Sequence, residues 1–176
     1  MAIGKYFLAA SAMFVVGAGP ASADQLQGQL GVTITVGSGC TVVNGGQDGT
    51  LNAFGTLDFG THYELNNNVS AQSNGSMGPM AVQCSNDTGY TVALGSGQNP
   101  GGSERQMSGG GNPVRYQLFQ DAARTTQWGD GANFGQLLSK TGSGIPQDIT
   151  VYGLVPPQST PTAGTYNDVV LVTVAW

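Results

Sequence analysis

From Gln25 the chain reads QLQGQLGVTITV, and residues 26 to 36 alternate without a break. Leu26, Gly28, Leu30, Val32, Ile34 and Val36 fall on one face, with Gln27, Gln29, Gly31, Thr33 and Thr35 on the other. A side-chain period of two marks a half-buried β-strand. Gly37-Ser38-Gly39 follows as a flexible joint, and then Cys40. An apolar strand is thus hinged to whatever Cys40 anchors. Two readings stand open: the first strand of the chain's own sheet, or a strand held out for another molecule.

What precedes this strand is a targeting segment. Lys5 supplies a positive start, and Tyr6 to Ala18 is apolar over roughly 13 residues, too short to span a bilayer. Gly19-Pro20 breaks the run, and Ala21-Ser22-Ala23 offers a small-x-small cleavage pattern before Asp24. The expected mature chain is exported and has roughly 150 residues, enough for one domain with its own core. Beyond Lys5, the basic residues are Arg105, Arg115, Arg124 and Lys140, against ten acidic ones. They form no cluster, which points away from nucleic acid and anionic membranes as partners. Charged residues make up 9% of the chain and glycines number 29, a composition for short strands and long turns rather than helices.

Cys40 and Cys84 travel an oxidising route and read as one disulfide, the alternative being two free thiols. The loop it closes is worth about 4 kcal/mol on the chain-entropy model. The bridge starts beyond the glycine joint, so it locks a body that excludes the N-terminal strand.

Along that body, Asn44-Gly45-Gly46 signals a turn, and Leu57 and Phe59 alternate with Asp58 between Gly55 and Gly60. Residues 66–76 and 95–112 are polar and read as exposed loops. Strands are expected around Met80-Val82-Cys84, Tyr90-Val92-Leu94, Val114-Tyr116-Leu118 and Ile149-Val151, the last ending before Gly153. Residues 121–131 read as a turn-rich connection around Trp128, and Pro156-Pro157 and Pro161 stiffen a linker. The chain closes on YNDVVLVTVAW at 166–176. Tyr166, Val170, Val172, Val174 and Trp176 share one face; Val169, Leu171 and Ala175 share the other. Apolar on both sides, this reads as a central strand covered on two faces. No run shows helical periodicity, so the class is all-β at sandwich-like strand spacing.

Catalytic chemistry finds little support. His62, the one histidine, sits in a Gly-Thr-His-Tyr turn without a nucleophile-elbow motif. One histidine and two bridged cysteines do not make a zinc site. Asp121 and Asp130 match no EF-hand spacing and read as turn carboxylates. Gly109-Gly110-Gly111 lacks the Lys-Ser/Thr of a phosphate loop. Asn68, Asn74 and Asn86 begin Asn-x-Ser/Thr triplets in polar stretches, where such triplets arise by chance. Trp128 and the tyrosines suit either a sugar platform or, preferably, core or rim packing. The chain is expected to be no enzyme and to carry no cofactor or metal.

GQLGVTITVGSGCTV at 28–42, FGTLDFG at 54–60, VQC at 82–84, YQLFQDAART at 116–125, WGDG at 128–131 and the whole run 151–176 resemble the spore coat protein U-like domain. That domain makes the subunits of archaic (Csu-type) chaperone–usher pili. The resemblance implies an incomplete immunoglobulin-like β-sandwich completed by a donor strand from a neighbouring subunit, by β-strand addition. It implies three parts: signal peptide 1–23, donor strand 24–36, and incomplete pilin domain 37–176. Leu26, Leu30, Val32, Ile34 and Val36 would enter the neighbour's groove, with the small Gly28 on the same face. Tyr166, Val170, Val172, Val174 and Trp176 would lie beside this chain's own acceptor groove. Burying five such side chains is worth roughly 8–15 kcal/mol before ordering costs. The implied partners are identical pilin subunits, a periplasmic chaperone that fills the groove first, an outer-membrane usher, and tip or minor pilins. The implied role is a structural subunit of an extracellular surface pilus, serving attachment and biofilm formation. One domain with a donor-like strand contrasts with the family's tip subunits, which carry an extra binding domain and no donor strand. The competing readings are a non-polymerising coat or matrix protein and a self-contained, secreted carbohydrate-binding sandwich.

Overall fold

The structure, a computed structural model, describes residues 26–43, 54–74 and 80–176. The expected leader at 1–23 and the expected turn at Asn44-Gly45-Gly46 lie outside the described residues, as do Asp24 and Gln25. The chain divides into two units at Thr35 and Val36.

In the first unit, residues 26–35 carry no strand assignment. Leu26 is 102% exposed and Ile34 87%. The reading of 26–36 as the first strand of the chain's own sheet is therefore corrected. The alternation is present in sequence, but no ladder forms on it.

The second unit is all-β. Its strands in chain order are β1 (Cys40–Val43), β2 (Thr56–Leu57), β3 (Val69–Asn74), β4 (Met80–Cys84), β5 (Gly89–Leu94) and β6 (Pro100–Gly101). They continue with β7 (Glu104–Met107), β8 (Val114–Phe119), β9 (Leu138–Thr141), β10 (Gln147–Ile149), β11 (Tyr152–Val155) and β12 (Val172–Ala175). They form sheets ordered β1-β4-β10, β2-β3-β11-β8-β7-β6 and β12-β5-β9. Every strand pairing is antiparallel, and strands such as β5 and β8 turn alternate residues to the core. The inward faces meet in one cluster: Met80, Val82 and Cys84 of β4, Tyr90, Val92 and Leu94 of β5, Val114, Tyr116 and Leu118 of β8, with Ile149 and Val155. Cys40 lies directly opposite Cys84 in the β1–β4 ladder, and the two are bridged.

Trp128 is fully buried at 0% exposure. Its Nε1 donates to the Val92 carbonyl at 2.9 Å and its backbone N–H to the Leu118 carbonyl at 2.8 Å. One residue thereby ties β5 to β8, and core packing excludes its side chain as a sugar platform. The loop around it closes through Gly129 and Gly135. A Cβ on either would overlap the backbone of the same loop.

Four other expectations need correcting. Residues 66–76 contain β3, whose inward positions are Val69, Ala71 and Ser73. Ala71 faces Gly153 across the ladder, so the site takes small residues and the apolar signal is weak. The stretch 95–112 contains β6 and β7; there the inward residue is Arg105, 2% exposed, so alternation of apolar residues never appears. The Ile149–Val151 strand is two elements, β10 and β11, and Gly153 lies inside β11. A side chain at 153 would run into Leu57 and Phe59, so glycine marks a close approach here, not a strand end. Finally, 166–176 is not a doubly covered central strand. Only Val172–Ala175 is strand, and β12 is the edge of its sheet.

Candidate functional site

The outer edge of β12 is the candidate site. β12 pairs with β5 in the register Val172↔Leu94, Thr173↔Ala93, Val174↔Val92 and Ala175↔Thr91. Among the described residues its other edge has no strand partner. An edge of this kind presents unpaired N–H and C=O groups, a template for another strand. Natural proteins blunt such edges with charge or proline, yet the run from Val169 to Trp176 holds neither.

Cover is also incomplete. Val170, Val172 and Val174 pack against the core but are only half-buried. On the opposite side Val169 is 61% and Leu171 59% exposed. The expected C-terminal set is therefore divided. Tyr166 and Val170 touch the core outside the strand, Val172 and Val174 lie within it, and Trp176, 64% exposed, leaves the face assigned to it.

Polar side chains hold this run to the body. Asn167 forms a reciprocal backbone bridge with Ser108, 2.9 Å in each direction, and Gly95 N–H donates to the Leu171 carbonyl at 2.9 Å. The Asp168 carboxylate accepts from the Gln98 N–H at 2.8 Å, the Asn99 side-chain amide at 3.1 Å and the Tyr116 hydroxyl at 2.6 Å. Burial, reinforced by that bond to Asp168, pushes the Tyr116 phenol far above its ordinary range. Nearby, Arg105 stands in for a missing neighbour at the end of β5. Its Nε donates to the Gly95 carbonyl at 2.8 Å and its NH2 group to the Leu94 carbonyl at 2.9 Å. The Phe134 ring covers the guanidinium at 5.0 Å. Burial pulls the Arg105 guanidinium below its ordinary value, while Tyr116, Asp130 and Asp168 pull the other way. Neither 95–112 nor the C-terminal run announces this network. A lone Arg in a glycine-rich stretch and an Asp before an apolar run are the only traces it leaves.

The remaining residues of chemical interest are dispersed. His62 is exposed and bonds the Phe59 carbonyl at 2.7 Å. Asp121 caps Thr125 and Thr126, and Asp130 caps Ala132 and Asn133, each as a turn carboxylate. Among the described residues no three His, Cys, Asp or Glu side chains gather as metal ligands.

Residues 26–173 match the family model of the Spore Coat Protein U domain. The chain belongs to that family. It is 32% identical over 174 residues to "Protein U" of Myxococcus xanthus, across 94% of this chain and 93% of that one. This coat-family chain is thus a structural, non-enzymatic protein. Among solved structures it is similar to one chain of the CsuC–CsuE chaperone–tip adhesion subunit pre-assembly complex, from archaic chaperone–usher Csu pili of Acinetobacter baumannii. The identity there is 23% and the TM-score 0.48, over 81% of this chain. The coat-family chain spans 40% of that chain's length.

Proposed function

We propose that the chain is a structural subunit of an extracellular fibre, assembled through the chaperone–usher route by donor-strand exchange. The supporting observation is the open β12 edge, flanked by apolar side chains that are half-buried or exposed. The occupant is residues 24–36 of another copy. Leu26, Leu30, Val32, Ile34 and Val36 are all more than four-fifths exposed, and they alternate as an added strand requires. Before assembly, a periplasmic chaperone strand covers the edge, and an usher exchanges it for the next subunit. Attachment to surfaces and biofilm formation follow from such fibres.

The family description names a spore coat, and the second reading is a coat protein that does not polymerise. Deleting residues 24–36 separates the two. In a fibre subunit, the deleted chain still folds with its chaperone but supports no growth beyond itself, read as loss of boiling-sensitive ladders and surface fibres. In a free-standing coat protein, wild type and deletion are both monomers that need no chaperone. Full-length fibres grown from the deleted chain alone would overturn donor-strand exchange.

A further inference from the structure

The run Val169 to Ala175 is apolar on both faces except for Thr173 on the outward one. Slipping it by one residue would turn Val169, Leu171, Thr173 and Ala175 toward the core in place of Val170, Val172 and Val174, so that Thr173 alone resists the slip by its hydroxyl. The hydrophobic pattern alone therefore specifies the register weakly, where a strand with one polar face would specify it strongly. Something else has to choose.

We infer that Asp168 is the positioning residue that pins the register of β12, through its carboxylate's bonds to Gln98, Asn99 and Tyr116. All three partners lie outside the β12–β5 ladder, so they report the position of the run along the chain independently of valine packing. Tyr116 is itself buried, 5% exposed within β8. Gly97 completes the device. It has φ +83°, and a Cβ there would overlap the Asp168 carboxylate. Glycine allows the backbone of 97–99 to close over the charged group. A one-residue slip carries the carboxylate away from these donors and leaves the Gln98 N–H and the Tyr116 hydroxyl without it. The register in turn decides which side chains β12 presents beside its open edge. That consequence for assembly rests on the proposed fibre function; the pinning itself does not.

The test is cysteine cross-linking in the full exported chain. Ala93→Cys with Thr173→Cys probes the observed pair, since these residues lie directly opposite. Ala93→Cys with Val172→Cys probes the slipped pair. With Asp168 intact, the first pair cross-links and the second does not. In D168A and Y116F backgrounds, the ratio of observed to slipped product should fall about tenfold or more for D168A and less for Y116F. D168N, which keeps one acceptor oxygen, should restore part of the ratio. Gly97→Ala should act like Y116F. If D168A does not accumulate, Y116F and D168N decide between the outcomes. An unchanged ratio in both of these overturns the inference, and so does an unchanged ratio in D168A. Because the readout is the ladder within one chain, it holds whether or not the chain polymerises. Pinned register with no fibres would count against the fibre reading alone.

Discussion

At the residue scale, stability hangs on a few buried polar groups that satisfy backbone carbonyls where no strand is available. Arg105 is the clearest: its guanidinium serves Leu94 and Gly95 at the end of β5, beyond the reach of β9, whose pairing stops at Val92. Arg105→Met keeps most of the volume but orphans two carbonyls. We expect a loss of about 2–5 kcal/mol, read as a shift in denaturant midpoint. Trp128→Phe removes the bond to Val92 and part of the packing around it, and should cost about 2–4 kcal/mol by the same measurement. Asp121 and Asp130 contribute to the acid limb of the stability curve. Backbone N–H donors, Thr125 and Thr126 for the first and Asn133 and Ala132 for the second, hold both carboxyls below their ordinary value. A depressed folded value means the contribution is present above about pH 4 and fades as pH drops through the folded value. Asp121→Asn should therefore flatten the fall in denaturant midpoint below about pH 4. A fall as steep as that of the native chain would remove Asp121 as a cause.

At the element scale, two strands carry the contrast between a sealed body and an open one. β4 lies between β1 and β10, and it is bridged to β1 at Cys40–Cys84 across a sequence separation of 44. Replacing both cysteines by serine should cost about 2–5 kcal/mol, read as a shift in denaturant midpoint. β12 has one partner strand and half-buried valines. Val172→Asp places a carboxylate on its inward side, and should cost several kcal/mol and the accumulation of folded subunit. Leu171→Ser changes a side chain already 59% exposed, so the isolated body should tolerate it within about 0.5 kcal/mol. A larger loss would show that Leu171 is covered within the monomer.

At the scale of the whole molecule, the prediction concerns what the monomer tolerates and the assembly does not. Ile34 is 87% exposed, and a side chain at Gly28 would meet nothing within 4 Å. Ile34→Asp and Gly28→Phe should leave the folding of the body unchanged. In a fibre both should block extension, the first by carrying a charge into an apolar groove, the second by bulk. Gel ladders and electron microscopy check this. Fibres of normal length from Ile34→Asp would refute insertion of this face.

The all-β class, the facing cysteines and the cores of β4, β5 and β8 were legible in the sequence, because each is a local matter. A period of two over buried residues, or two cysteines on an oxidising route, announces itself without a partner. β3 and β7 were hidden, since a strand's inward face is chosen by what it meets. Ala71 opposite Gly153 and Arg105 under Phe134 are inward residues that no apolar count can find. The C-terminal run failed in the opposite way: apolarity on both faces suggested two-sided cover, while the fold supplies one neighbour. Hydrophobicity says how much surface a segment needs buried. Whether the same chain buries it or leaves it exposed at an edge depends on strand order, and only the tertiary structure decides that.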